Sequence, residues 1–268
     1  MRRLALVGVA AGIGASLLSA CGTSGPGSGA AAEAAPPGRE PETPRGSDVT
    51  LAGPSGQLRA SWAAPTGQAK ASVLVIHDNQ GLTPHFADVV GRFAGAGYAT
   101  LCVDLLSGQN APAAPADPAQ APRALLAEPP DKLLANLRAG LDEIGRRVPG
   151  VKNGAVGFGF GGGQLWQLLA AGEDRLAAAV NFYGEASDNL DFSKTHAAVL
   201  ALYPADDRKL SESQDNADQA MLNANLVHNS VLYAGSVAGF FDDTSPRYNP
   251  TAAAQAWQAT LDWFGRNL

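Results

Sequence analysis

The segment Gly157-Phe158-Gly159-Phe160-Gly161-Gly162 has the residue types of a turn that lifts one side chain above a sheet. A strand-like run, Ala155 to Phe158, enters it, and a helical run, Gln164 to Ala171, leaves it. Glycines on either side of the tip make room for such a turn. The backbone N–H groups that open the helix then face any oxyanion held there. This arrangement serves nucleophilic acyl transfer when the tip carries a thiol or a hydroxyl. Here the tip is Gly159, which carries neither.

The other residues able to do chemistry sort by their place relative to predicted strands. In a parallel sheet, functional groups gather beyond the carboxyl ends of the strands. Asp78, Asp207, Gly159 and the Ser236-Val237-Ala238 turn all follow a strand, whereas His196 and His228 precede one and fall on the opposite edge. His77 and Asp78 could act on a bound water, although His77 also suits a loop-ordering role. Ser236 has no base in view. Cys102, between Leu101 and Val103, reads as core.

Four scattered His, with neither a Cys pair nor a His-x-x-x-His spacing, argue against zinc, and neither a metal nor a cofactor is expected. Gly157, Gly159 and Gly162 also satisfy G-x-G-x-x-G. At least two core strands precede that turn, however, and the next strand ends in Asn181-Phe182-Tyr183-Gly184 rather than in an acid. The pattern therefore argues against a dinucleotide, while a small anion remains suited to the start of the helix.

These residues need a scaffold. Val73 to Ile76, Ala99 to Val103, Ala155 to Phe158, Leu176 to Tyr183, Ala197 to Leu202 and Ser230 to Tyr233 read as strands. Val49 to Leu51 and Gln57 to Trp62 read as an added edge hairpin. Phe86, Val89, Val90 and Phe93 recur at helical spacing up to Gly95, and Leu133, Leu134, Leu137, Leu141 and Ile144 form one stripe between Asp131 and Val148. Asp215 to Leu226 and Ala252 to Phe264 read as further helices, with Trp166, Trp257 and Trp263 at apolar helical positions. Alternating strands and helices predict an α/β fold, a mostly parallel sheet with helices on both faces. Ser107 to Pro130, rich in Pro and Ala, shows no periodicity and reads either as a lid or as an unstructured insertion.

The chain also resembles the dienelactone hydrolase family of α/β-hydrolases. The resemblance runs through His77-Asp78-Asn79-Gln80-Gly81-Leu82, Pro84-His85-Phe86, Gly154 to Gly162 and Ala179 to Gly184. It is most specific in the tail, from Tyr233 through Ala238-Gly239-Phe240 to Tyr248-Asn249 and Trp257, and it covers about Val73 to Phe264. It implies ester or lactone cleavage by a Cys, a His and an Asp. By position the nucleophile falls on Gly159 and the His on Ala238. The acid falls on Asp207, with Asp206 beside it, and a Glu of the family's first loop falls on Asp78, one methylene shorter. The resemblance thus implies a hydrolase fold whose nucleophile and base are gone. Such a pocket, formed by His77, Asp78, Phe160 and Gly161, is expected to bind a small organic acid, ester or lactone or to serve as an interaction surface. The alternative is hydrolysis by an unconventional route through His77, Asp78 and Asp207.

Residues 1–20 read as an export signal, with Arg2-Arg3 followed by an apolar run to Leu18. Leu18-Ser19-Ala20-Cys21 resembles a bacterial lipobox, which implies lipidation of Cys21 and anchorage to a cell membrane or outer membrane, with the domain outside the cytoplasm. Residues 21–46, poor in large apolar side chains, read as a tether, and 47–268 as one domain. If Cys21 is the anchor, the second Cys, Cys102, has no disulfide partner. A net charge of −6 without a long basic run argues against nucleic acid as a partner.

Overall fold

The computed structural model describes residues 45–107 and 118–268. The predicted signal, Cys21 and the tether up to residue 44 lie outside the described residues, as do 108–117.

Eight strands form one sheet in the order β1-β2-β4-β3-β5-β6-β7-β8. β1 (Ser47–Gly53) and β2 (Gly56–Ala63) are the expected hairpin, and β2 runs antiparallel to β4 (Tyr98–Val103). The remaining neighbours are parallel: β3 (Ala71–Ile76), β5 (Asn153–Phe158), β6 (Leu176–Phe182), β7 (Ala198–Pro204) and β8 (His228–Tyr233). Every residue of β3, β4 and β7 is buried. Since successive side chains point to opposite faces, both faces of the central sheet are covered. Cys102 lies in this core, fully buried, and burial pushes its thiol well above the ordinary range.

The helices are α1 (Pro84–Gly95), α2 (Ala121–Ala127), α3 (Pro130–Arg147), α4 (Phe160–Ala170), α5 (Arg208–Asn223) and α6 (Pro250–Asn267). α4 begins four residues earlier than Gln164, and two helices differ more from the sequence reading. α5 begins seven residues earlier than Asp215, because Asp207 caps it by accepting the Leu210 N–H at 3.3 Å. α2 lies inside the stretch that showed no periodicity. A seven-residue helix anchored by buried Ala121 and Leu125, with Leu126 left exposed, is too short to display a stripe.

Candidate functional site

The backbone at the Gly157–Gly162 turn is that of a nucleophile elbow. Gly159 sits at φ 50°, ψ −111° between β5 and α4, conformational space open to glycine and strained for other residues. Two hydrogen bonds clamp it: its N–H donates to Phe182 O at 2.9 Å, and its carbonyl accepts the Gly163 N–H at 3.0 Å. The N–H groups of Phe160, Gly161 and Gly162 open α4 and have no carbonyl behind them within the helix.

The flanking glycines are required by proximity rather than by conformation. A β-carbon on Gly157 would lie 2.4 Å from Gly161 O, and one on Gly161 would lie 2.3 Å from Ile76 O. Gly162 and Gly184 face each other just as closely. At Gly159 there is room, for a β-carbon would meet two ring carbons of Tyr183 at 3.8 Å and Asp78 Cβ at 3.9 Å, which is ordinary contact. The tip therefore keeps both the shape and the space for a side chain.

His77 does not line this space, in contrast to the expected pocket. It is fully buried, and both ring nitrogens are committed. Nδ1–H donates to Asp78 O at 2.7 Å, and Nε2 accepts the Leu105 N–H at 3.0 Å. Burial lowers its pKa, against the pull of the Asp78 carbonyl and the charges of Asp104 and Asp78. A neutral imidazole whose two nitrogens are occupied ties the loop after β3 to the loop after β4 and has no lone pair left for water. Gly161 likewise faces the β3 backbone, while Phe160 is half-buried at the start of α4.

Asp78 does reach the elbow. Its carboxylate accepts the Gln80 N–H at 2.8 Å. Burial pushes its pKa up, opposed by that bond and by His77, and Asp242 adds a further upward push. A carboxyl whose pKa is raised in the folded state favours folding below its ordinary value of 3.8, and this contribution is lost as pH rises through the folded-state value. Above the folded-state value the ionised Asp78 is therefore a cost. Asp78→Asn keeps an acceptor for Gln80, so it is expected to raise the melting temperature at pH 7, with the gain closing toward pH 3.8. Thermal melts of both proteins across that range check this, and an Asn variant less stable at pH 7 would contradict it.

Asp207 is half-buried at the start of α5, and Asp206 beside it is exposed. The Asp206 N–H donates to Ser236 O at 3.1 Å, which ties the acid-bearing loop to the turn that carries Ala238. Ser236 is buried, and its hydroxyl donates to Tyr233 O at 2.7 Å. Ala238 is half-buried and supplies only a methyl group. His196 is exposed, and His228, expected to precede a strand, is instead the first residue of β8, with its Nδ1 2.9 Å from Leu226 O.

Tyr183 and the His85–Asp242–Asp243 group were not singled out from the sequence. Tyr183 is buried at φ 43°, rare for a non-glycine residue, and its ring stands against the elbow tip. Burial raises its phenol pKa well above the ordinary value, as do the charges of Asp78 and Asp242, while a bond from the Phe241 backbone opposes them. The strand-end Tyr183-Gly184 pair was a visible signal for it. His85, at the start of α1, meets Asp242 and Asp243 from the far end of the chain, a proximity that no local spacing announces. A cavity of about 810 Å³ lies away from the elbow, between the β1–β2 hairpin and the start of α1, lined by Arg59, Ser61, Thr83 and Asp104 among others.

This fold, with an elbow between β5 and α4, defines an α/β-hydrolase. The chain belongs to the dienelactone hydrolase family, whose model matches residues 58–268. It is 28% identical over 210 residues to an Escherichia coli K12 protein named "Putative carboxymethylenebutenolidase", covering 72% of this chain and 75% of the relative. A Salmonella typhi protein of the same name is 28% identical over 229 residues, covering 78% and 83%. Among solved structures, a dienelactone hydrolase from Anabaena variabilis superposes with TM-score 0.66 at 19% identity, covering 85% of this chain and 100% of the other. A dienelactone hydrolase-like promiscuous phosphotriesterase from metagenomic libraries gives TM-score 0.69 at 21% identity, covering 83% and 99%.

Proposed function

We propose that this chain is an exported, lipid-anchored member of the dienelactone hydrolase family that binds a small organic acid, ester or lactone without hydrolysing it. The observation that carries this reading is Gly159. The elbow retains its conformation, its clamp and the N–H groups that open α4, while its tip offers no atom that could attack a carbonyl. Ala238 supplies no base, and His77 is sealed behind its two hydrogen bonds. What remains suits recognition of a carboxylate or carbonyl oxygen by backbone donors at a helix N-terminus.

The anchoring part of the proposal rests on Arg2-Arg3, the apolar run and Leu18-Ser19-Ala20-Cys21. A lipidated cysteine would hold the domain at a bilayer surface, each buried CH₂ contributing about 0.8 kcal/mol.

One experiment addresses both halves. Cys21→Ser is expected to move the protein from the membrane fraction to the soluble fraction. The soluble protein is then expected to show saturable thermal stabilisation by an unsaturated lactone or its ring-opened carboxylate, with the ligand recovered intact. A Cys21→Ser protein that stays with the membrane would defeat the anchor. Ligand recovered as product would defeat the binder.

A further inference from the structure

We propose that His85, Asp242 and Asp243 form a divalent-cation site on the rim of the elbow pocket, suited to a first-row ion such as Zn²⁺ or Mn²⁺. His85 Nδ1 lies 3.3 Å from Asp242 Oδ1 and 3.0 Å from Asp243 Oδ1, and the three atoms fall within 4.8 Å of one another. Ligand atoms about 2.1 Å from a shared ion and about 90–110° apart stand roughly 3.0–3.4 Å from each other. The imidazole-to-carboxylate separations already have that size, so little movement is needed to receive an ion.

The group is built rather than incidental. The His85 side chain is only 4% exposed, held edge-on against Phe86 and Phe241, so the ring cannot swing away to solvent. Asp242 Oδ1 is oriented by the Thr244 N–H at 2.9 Å and the Thr244 hydroxyl at 2.7 Å, outer contacts of the kind that fix a metal-binding carboxylate. Buried Phe240 and Phe241 pin the loop that carries both aspartates. Asp78 adds a third carboxylate whose charge is felt by the group, as the effects of Asp242 and His85 on it show. Arg92, stacked on Phe241 and Trp257, is the cation near Asp243.

Without an ion, one imidazole N–H is the shared donor between two carboxylates. Binding would turn the Nδ1 lone pair to the metal while the ring proton moves to Nε2, so protons compete with the ion for the imidazole and carboxylates and affinity should fall as pH is lowered. An imidazole with two carboxylates favours Zn²⁺ or Mn²⁺ over Ca²⁺ and Mg²⁺, which prefer all-oxygen sites. The inference is independent of whether the elbow turns over a substrate.

The test is titration of the chelator-treated full chain with Zn²⁺, Mn²⁺ and Ca²⁺, read by calorimetry and by thermal unfolding. The expected result is saturable binding of one Zn²⁺ or Mn²⁺ and preference over Ca²⁺. Asp243→Asn, at a side chain that is 59% exposed and outside the core, is expected to weaken binding at least about tenfold. His85→Ala should abolish it, and Asp191→Asn, at an exposed acid elsewhere, should leave it unchanged. No saturable binding by the wild-type chain, or equal affinity in Asp243→Asn, would overturn the proposal.

Discussion

The double variant Gly159→Cys/Ala238→His is expected to hydrolyse p-nitrophenyl acetate at least about 10²-fold faster than the wild-type chain. The reasons are geometric. A β-carbon at position 159 meets only ordinary contacts, from Tyr183 and Asp78. The strain of a non-glycine residue there, about 1–3 kcal/mol, is resisted by the bonds from Gly159 N to Phe182 O and from Gly163 N to Gly159 O. The 238 turn is tied to the acid loop through Asp206 N and Ser236 O, which keeps Asp207 near a histidine placed there. Nucleophile and base act as a unit, so either single change should leave the rate near background. Adding Asp207→Ala to the double variant should remove most of the gain. Equal rates for wild type and double variant, in protein shown to be folded, would mean that more than two side chains separates this elbow from a working one.

The second large effect is on stability. Gly161→Ala is expected to destabilise the domain by more than about 3 kcal/mol, against about 1–3 kcal/mol for Gly159→Ala. The new methyl at 161 would lie 2.3 Å from Ile76 O and 2.4 Å from His77 O, and neither backbone carbonyl can yield without moving β3. For a domain of about 220 residues this corresponds to a fall in melting temperature of roughly 6–12 °C. Paired melts of the two alanine variants provide the check. A Gly161→Ala protein as stable as Gly159→Ala would mean that α4 does not sit as close to β3 as described.

The contrast between these two glycines also shows what the sequence could disclose. The buried strands are legible because β3, β4 and β7 are predominantly apolar runs, buried at every residue, the pattern of a sheet covered on both faces. The elbow was legible from its glycines and from the helix that follows. Which glycine supplies a backbone angle and which a close approach was not, since that depends on β3, more than eighty residues upstream. α2 escaped notice because its few residues bury only Ala121 and Leu125. The true start of α5 is set by Asp207 capping the Leu210 N–H, a role that its residue type shares with a catalytic acid.

Site residues divide along the same line. Gly159, Ala238, Asp207 and Asp78 could be placed by their order along the chain, because each follows a strand. The commitments of His77 could not, since its second partner is the Leu105 N–H in another loop. The His85 group was invisible for the same reason. Its members are 158 residues apart at their widest, and only the docking of the Phe240–Phe241 loop beside α1 unites them. Local spacing finds motifs, whereas contact between distant loops is decided by the packing of aromatic side chains.

The central claim is that a lineage of hydrolase shape has lost its reactive atoms here, and wild-type turnover tests it most directly. Purified protein, free of metal and at concentrations well above catalytic amounts, is mixed with p-nitrophenyl acetate and with an unsaturated lactone, and product is followed to completion. The account predicts rates equal to buffer with unfolded protein, the same for wild type, Asp78→Asn and Asp207→Ala. Saturable turnover by the wild-type chain that disappears in either variant would contradict it.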